Sequence, residues 1–479
     1  TWVGGGYING SAEIMVSGGL VWCQAPLGYG ISLIFGGLFF AGKMRSSGFT
    51  TMLDPFHQKY GRVMGCLLYL PALVSEIFWS SAILSALGAT LKVILDIDMK
   101  TSVIISAAIA LLYTLLGGLY SVAYTDVIQL TCIFIGLWVG LPFAMKHEAA
   151  GSILESTHWL GTLDTASIGT FVDLYLLLIF GGIPWQVFWQ RALSAKTVAV
   201  ARGLSVAAGF GSLLLATPAI LLGAVAATAD WNKTGYGQPT IATEDLSMTL
   251  PLVYFYMTPT AVSLIGLGAV SAAVMSSTDS SILSASSMFA CNVFAVIYRA
   301  VKGKWASDTM VVWVMRGAQV VVAAASCVMA ISVSSIYSLF LLCSDFVYVI
   351  LFPQLVCVLY VHWTNTYGSL AGFVLGLLFR LLGGEPVLGW PAVIEYPGFD
   401  PAVGQQFPHR TLASAISLVS VLLGSAVAAF LFRSKILPAS RDVFQCFQHE
   451  KELSTDPAKE VLTGPDTLQL ETKQFNGNA

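Results

Sequence analysis

From Val16 to Arg433 the chain is built of apolar runs, each long enough to cross a hydrocarbon layer and separated by short polar connections. Such a run needs about 20 residues and must be helical, because lipid offers no hydrogen bonds to an open backbone. The runs fall roughly at 16–41, 64–95, 101–121, 126–146, 170–195, 199–228, 258–298, 309–332, 336–361, 366–384 and 410–433, with a fragment at 1–14. The expected fold class is therefore an all-α polytopic membrane protein, with residues 1–433 forming one transmembrane domain. Only 10% of the 479 residues are charged, against about a quarter in soluble proteins. The partner this implies is the lipid bilayer, and a net charge of -3 gives no reason to expect nucleic acid.

If the fragment at 1–14 runs outward, the loops near 42–63, 191–202 and 298–308 face the cytoplasm. They hold Lys43, Arg45, Lys59, Arg62, Arg191, Lys196, Arg202, Arg299, Lys302 and Lys304, as the positive-inside rule requires. The triplet Asn232-Lys233-Thr234, a glycosylation acceptor pattern, then lies outside. The sequence opens on Thr1, inside what reads as membrane interior, so we expect an N-terminally truncated first helix. After Arg433 the residues turn polar and charged, and 434–479 is expected to be a disordered cytoplasmic tail where trafficking partners would attach; homo-oligomerisation is left open. Seven of the eight cysteines lie in or beside apolar runs, with no CxxC or Cys/His cluster, and so read as small buried hydrophobes. No nucleophile paired with a base and no phosphate loop is present, so an enzyme is not expected.

Transporters bind ions and solutes where membrane helices break near the bilayer midplane. Trp2-Val3-Gly4-Gly5-Gly6 is one candidate break, its glycines permitting an unwound stretch with free carbonyls. Gly181-Gly182-Ile183-Pro184-Trp185 is a second, where Pro184 also removes a backbone donor. Glycine-mediated helix packing explains either cluster alone, but each has a tryptophan beside it. In the run from Gly268 to Ser281, Ala273, Ser276 and Ser277 are spaced i, i+3 and i+4 and share a face. That face offers a carbonyl and two hydroxyls to a hard cation, although serines in such helices often bond back to the preceding turn. Asp279 adds an ionisable group inside a span, a functional signal by default.

Thr1-Trp2-Val3-Gly4-Gly5-Gly6-Tyr7-Ile8-Asn9-Gly10, the Gly181–Trp185 break, the Ala273–Ser281 segment and Gly117–Asp126 together resemble the sodium/solute symporter family, in particular its choline-transporting branch. The resemblance runs from Thr1 to about residue 435. It implies a leucine-transporter-like inverted-repeat fold and sodium-coupled, chloride-dependent choline uptake at the plasma membrane of the presynaptic terminal, supplying acetylcholine synthesis. Carried onto this sequence, it places choline among Trp2, Tyr29, Trp79 and Trp185. It places sodium on the carbonyls of Val3 and Ala273 and the hydroxyls of Ser276 and Ser277. Chloride receives no residue. One carbonyl ligand would precede Thr1, so the chain as given is expected not to transport.

Aromatic cages suit choline, whose quaternary ammonium donates no hydrogen bond. Each ring face contributes about 0.5 to 1 kcal/mol when exposed and about 2 when desolvated. Other tryptophans, such as Trp22 and Trp189, read as belt or packing residues. Glu76 shares a helix face with Trp79 and is expected either to bias the cavity or to pair with a neighbouring helix; Asp345 poses the same question. The rival readings are a sodium symporter for another small organic solute, and a channel or receptor sensing a quaternary amine.

Overall fold

The computed structural model of the chain describes residues 2–447 apart from 154 and 402, and gives the backbone alone at 113 and 116–123. The non-helical segment Trp2–Gly4 leads into α1 (Gly5–Ser17), followed by α2 (Ala25–Phe35), α3 (Gly42–Ser46), α4 (Asp54–Leu95) and α5 (Met99–Met145). Next come α6 (Ile168–Gly181), α7 (Gln186–Ser194), α8 (Val198–Thr228), α9 (Thr249–Met257), α10 (Thr260–Met288) and α11 (Ala295–Lys302). The series closes with α12 (Asp308–Ser332), α13 (Ile336–Phe346), α14 (Phe352–Tyr360), α15 (Thr366–Leu382) and α16 (His409–Arg433). Single π turns join α2 to α3, α10 to α11 and α13 to α14 into continuous spans. Among the described residues nine helices are long and apolar enough to cross a membrane, and Met99–Leu112 and Thr366–Leu382 are shorter apolar helices.

α5 is helical over 47 residues, where the sequence suggested two spans and a loop. A straight helix of that length would measure about 70 Å, twice the hydrocarbon layer of about 30 Å, and the contacts show how the chain avoids it. α4 and α10 lie antiparallel, with Tyr69 bonded to the Ala285 carbonyl and Ser80 to Ser281. Val103 packs on Gly88, and Leu111 clusters with Leu73 and Ile77, so the first half of α5 runs back along α4. In the second half Asp126 meets Ser276 and Gly136 meets Ala269, which is the reverse sense past α10. The two ends of α5 therefore pack past α4 and α10 in opposite senses.

Small residues set the helix spacing, as expected where lipid supplies no hydrophobic drive between helices. Gly368, Gly372 and Gly376 lie on one face of α15, and a β-carbon on them would strike Ser425, Val421 and Ser417 of α16. The basic loops meet on one face: Arg45 Nε donates to the Ala195 carbonyl at 2.8 Å, Asn292 Nδ2 to Asp54 at 3.1 Å, and Lys59 Nζ to the Val361 carbonyl at 2.6 Å. Asn232 lies at the opposite end, next to Trp231 and Asp230, whose amide bonds the Ala149 carbonyl at 2.8 Å.

That opposite end carries a buried ion network. Arg380 Nε donates to both oxygens of Asp345 at 2.7 and 2.8 Å, and its Nη2 donates to Asp345 and, at 2.5 Å, to Glu385, while Arg410 bonds Asp345 at 3.1 Å and Glu385 at 2.9 Å. Asp173 of α6 accepts from the Thr411 amide and hydroxyl at 2.7 and 2.6 Å. Asp345 is thereby a strut tying α13 to α15 and α16.

Residues 434–447, the start of the expected tail, fold back on α15 and α16. Asp442 accepts from the Tyr367 hydroxyl at 2.9 Å and the Phe447 amide at 2.8 Å, and Phe447 stacks on Phe432. Aromatic anchors inside a polar stretch account for this packing. The rest of that tail, 448–479, lies outside the described residues.

Candidate substrate and ion site

Trp2, Tyr29, Trp79 and Trp185 surround one cavity, and Phe340 of α13 completes its wall. They arrive from five places: the non-helical entry to α1, α2, the middle of α4, the α6–α7 break and α13. Ring centroids are 5.7 Å apart for Trp2–Tyr29, 5.8 Å for Trp2–Trp185, 6.2 Å for Tyr29–Trp185 and 5.3 Å for Trp79–Trp185, all edge to face. Phe340 tilts against Tyr29 at 5.0 Å. Rings this close fill one another's faces, so a cation enters only as they separate.

The break is held open from both sides. α6 stops at Gly181 and Trp185, in extended conformation, starts α7. A β-carbon on Gly181 would lie 2.7 Å from the Ser344 carbonyl, and one on Gly182 would lie 2.3 Å from Ser32 Oγ and 3.0 Å from Tyr29. Trp189 is a packing residue: it is fully buried, and its indole nitrogen donates at 2.9 Å to the Ile183 carbonyl, which also accepts from the Trp185 amide at 3.0 Å. The Tyr29 hydroxyl sits 2.5 Å from Ser344 Oγ and 3.2 Å from the Phe340 carbonyl, which fixes its ring.

The first glycine cluster works differently from the sequence reading. Gly5 and Gly6 are helical, and only Trp2–Gly4 is non-helical, with a bend at Val3. All three glycines serve close approach: added β-carbons would lie 2.1 Å from Ser277 Oγ at Gly4, 2.5 Å from Val274 at Gly5, and 3.2 Å from Phe340 at Gly6. The backbone entering α1 thus presses on the face of α10 that bears Ala273 and Ser277, and Val3 is buried there.

Ser276 turns aside from that contact. Its hydroxyl donates to Asp126, while Arg191 Nη2 lies 3.3 Å from Asp126 and 3.0 Å from Ser280 Oγ. The oxygens predicted for the ion therefore divide, Ser277 toward the α1 entry and Ser276 toward Asp126. Asp279 is buried beside them and accepts from the Ser280 amide at 2.6 Å. Glu76 accepts from Ser281 at 2.7 Å and Ser284 at 2.9 Å, so it pairs with the neighbouring helix α10. Carbonyl, hydroxyl and carboxylate oxygens are the donors a hard cation requires, and the Gly4–Ser277 contact is a cradle that a β-carbon would fill.

Sequence reasoning missed Phe340, Asp126 and Ser344. Phe340 is one of 27 phenylalanines and carries no local mark. Asp126 could have been singled out as an acid at the mouth of an apolar run, the criterion applied to Asp279.

Comparison with known proteins decides the family. The model of the sodium:solute symporter family matches residues 1–376. The chain belongs to the sodium:solute symporter family. It is 52% identical to the human high affinity choline transporter 1, over 98% of this chain and 83% of that protein. It is 53% identical to the Drosophila melanogaster high-affinity choline transporter 1, over 93% and 73%. Among solved structures, a Na+-coupled sialic acid symporter in a substrate-bound outward-open state superposes with a TM-score of 0.68 at 14% identity, covering 89% of this chain and 87% of that one. Inward-facing Mhp1 gives 0.52 at 12% identity, covering 90% and 88%. The fold is the leucine-transporter type expected from sequence, a multi-pass membrane transporter in which the entry to α1 and the α6–α7 break flank the ring cavity.

Proposed function

We propose that the protein takes up choline together with sodium by alternating access. The observation that carries this reading is that the rings and the ion face share one three-residue segment. Trp2 contributes to the cage and Gly4 lies against Ser277, with Val3 between them. Sodium on the Val3 and Ala273 carbonyls and the Ser277 hydroxyl, joined by the Ser276 hydroxyl when it swings from Asp126, would pin the entry of α1 to α10. Pinning that entry sets the position of Trp2. The cage would then receive choline with its sodium-side wall already in place, which is how one ligand's binding assists the other's. Asp126 and Asp279 place carboxyl oxygens beside the hydroxyls, Asp126 in an ion pair with Arg191. Glu76 supports the cage from behind, in reach of Trp185 and Arg191.

Three or four desolvated rings contribute several kcal/mol toward a methylated cation and offer a neutral polyol few hydrogen bonds. Each positive charge carried inward gains about 2.3 kcal/mol per 100 mV of membrane potential, so sodium adds to a drive that choline already feels. On the family resemblance alone we extend the reading to chloride dependence and to a presynaptic location supplying acetylcholine synthesis. We also propose glycosylation at Asn232, which is exposed and followed by Thr234. The test is uptake of labelled choline into cells expressing the full-length protein. Saturable accumulation that vanishes when sodium is replaced by N-methylglucamine is expected; sodium-independent equilibration would point to a channel.

A further inference from the structure

The ring cavity accounts for the methylated head of choline and leaves its alcohol without a partner. Three polar groups beside the rings are already engaged. The Tyr29 hydroxyl is held by Ser344 and the Phe340 carbonyl, Glu76 takes Ser281 and Ser284, and Cys343 Sγ donates to the Phe340 carbonyl. Ser32 is different. It is 1% exposed, and its hydroxyl has no hydrogen-bond partner. Many buried helical serines bond back one turn, as Ser11 does to Tyr7, Ser81 to Ile77 and Ser205 to Ala201, while Ser85, Ser326 and Ser417 share the unpartnered state of Ser32 but lie away from the rings. An unmet buried hydroxyl is costly and therefore uncommon.

Ser32 follows Tyr29 by three residues on α2 and so shares its face. Ser32 Oγ and the Tyr29 ring flank one point, the place a β-carbon on Gly182 would take, at 2.3 and 3.0 Å. Gly182 belongs to the break that delivers Trp185 to the cage. The hydroxyl therefore sits at the seam between a cage wall and the broken helix, within one side chain's reach of the rings.

We propose that Ser32 determines specificity for the substrate's alcohol: its hydroxyl takes the OH at the end of choline's two-carbon arm while the rings hold the trimethylammonium. This rests on the choline reading of the cage. A site that hydrogen-bonds a substrate hydroxyl discriminates against the analogue lacking it, because the protein group is then left unpaired.

The experiment competes labelled choline uptake, in cells expressing the full-length protein, with unlabelled choline and with ethyltrimethylammonium, which keeps the head and the arm but has no alcohol. In the wild type we expect ethyltrimethylammonium to compete about tenfold more weakly. In Ser32→Ala, choline should weaken to match it while ethyltrimethylammonium is unchanged. Ser32→Cys, whose thiol is a weak hydrogen bonder, should close the same gap and covers the case in which the alanine variant does not reach the surface. A gap that persists in either variant, or equal competition in the wild type, overturns the role of Ser32. Absence of saturable choline uptake by the wild type would instead remove the choline reading, and this inference with it.

Discussion

Ser277 Oγ lies 2.1 Å from the point a β-carbon on Gly4 would occupy. No side chain fits there unless α1 and α10 move apart, and Ser277 Cβ is only 2.6 Å from the same point, so trimming the hydroxyl does not make room. Gly4→Ala is expected to reduce sodium-driven choline uptake at least tenfold at equal surface expression, and Gly4→Ala with Ser277→Ala should not recover it. Recovery in the double variant would show that the hydroxyl alone sets the spacing.

Ser277→Ala by itself keeps the spacing and removes one oxygen from the proposed ion site. A hydrogen bond or ligand contact to a charge contributes about 1.5 to 3 kcal/mol, so the sodium concentration for half-maximal uptake should rise roughly tenfold or more. A sodium titration at fixed choline measures it, and an unmoved midpoint would exclude Ser277 as a ligand.

Trp185 touches Trp2, Tyr29 and Trp79. Trp185→Ala should abolish choline uptake while the protein still reaches the surface. Unchanged uptake would remove Trp185 from the cage.

Trp189→Phe keeps the buried ring and deletes the donor to Ile183. The Ile183 carbonyl keeps the Trp185 amide at 3.0 Å and loses one of its two donors, at a cost of about 0.5 to 1.5 kcal/mol. Because it belongs to the break that carries Trp185, we expect roughly a two- to tenfold rise in the choline concentration for half-maximal uptake, with sodium activation little changed. A shift in the sodium midpoint alone would contradict this.

Arg380 is 2% exposed and serves Asp345 and Glu385 together. Arg380→Met leaves Arg410 to neutralise both acids, and breaking a buried ion pair from one side costs about 3 to 5 kcal/mol. Reduced surface expression and a lower midpoint in a thermal-shift assay of detergent-solubilised protein are expected. Normal stability would mean that water or Arg410 compensates.

The helices were legible because lipid imposes one rule along the whole chain, and the breaks were legible because Gly181, Gly182 and Pro184 violate helical preference within a few residues. The four rings could be named through family resemblance; nothing in their spacing required Trp2 and Trp79 to meet. What escaped reading depends on which helix faces which. Gly5 and Gly6 looked like unwound backbone and proved to be packing glycines, since sequence does not show that Val274 and Phe340 press upon them. Asp345 could not be separated from a functional acid until Arg380, 35 residues later, was seen bonded to it.

The segment Trp2–Gly4 is too short for its two ends to respond separately. On the proposed reading, whatever factor by which the alkali ion tightens the grip on the organic cation must be returned in full by the organic cation to the ion, since a coupling free energy has no preferred direction. Leakage of one cargo without the other is then suppressed by three residues of main chain, with no need for a relay across the bundle.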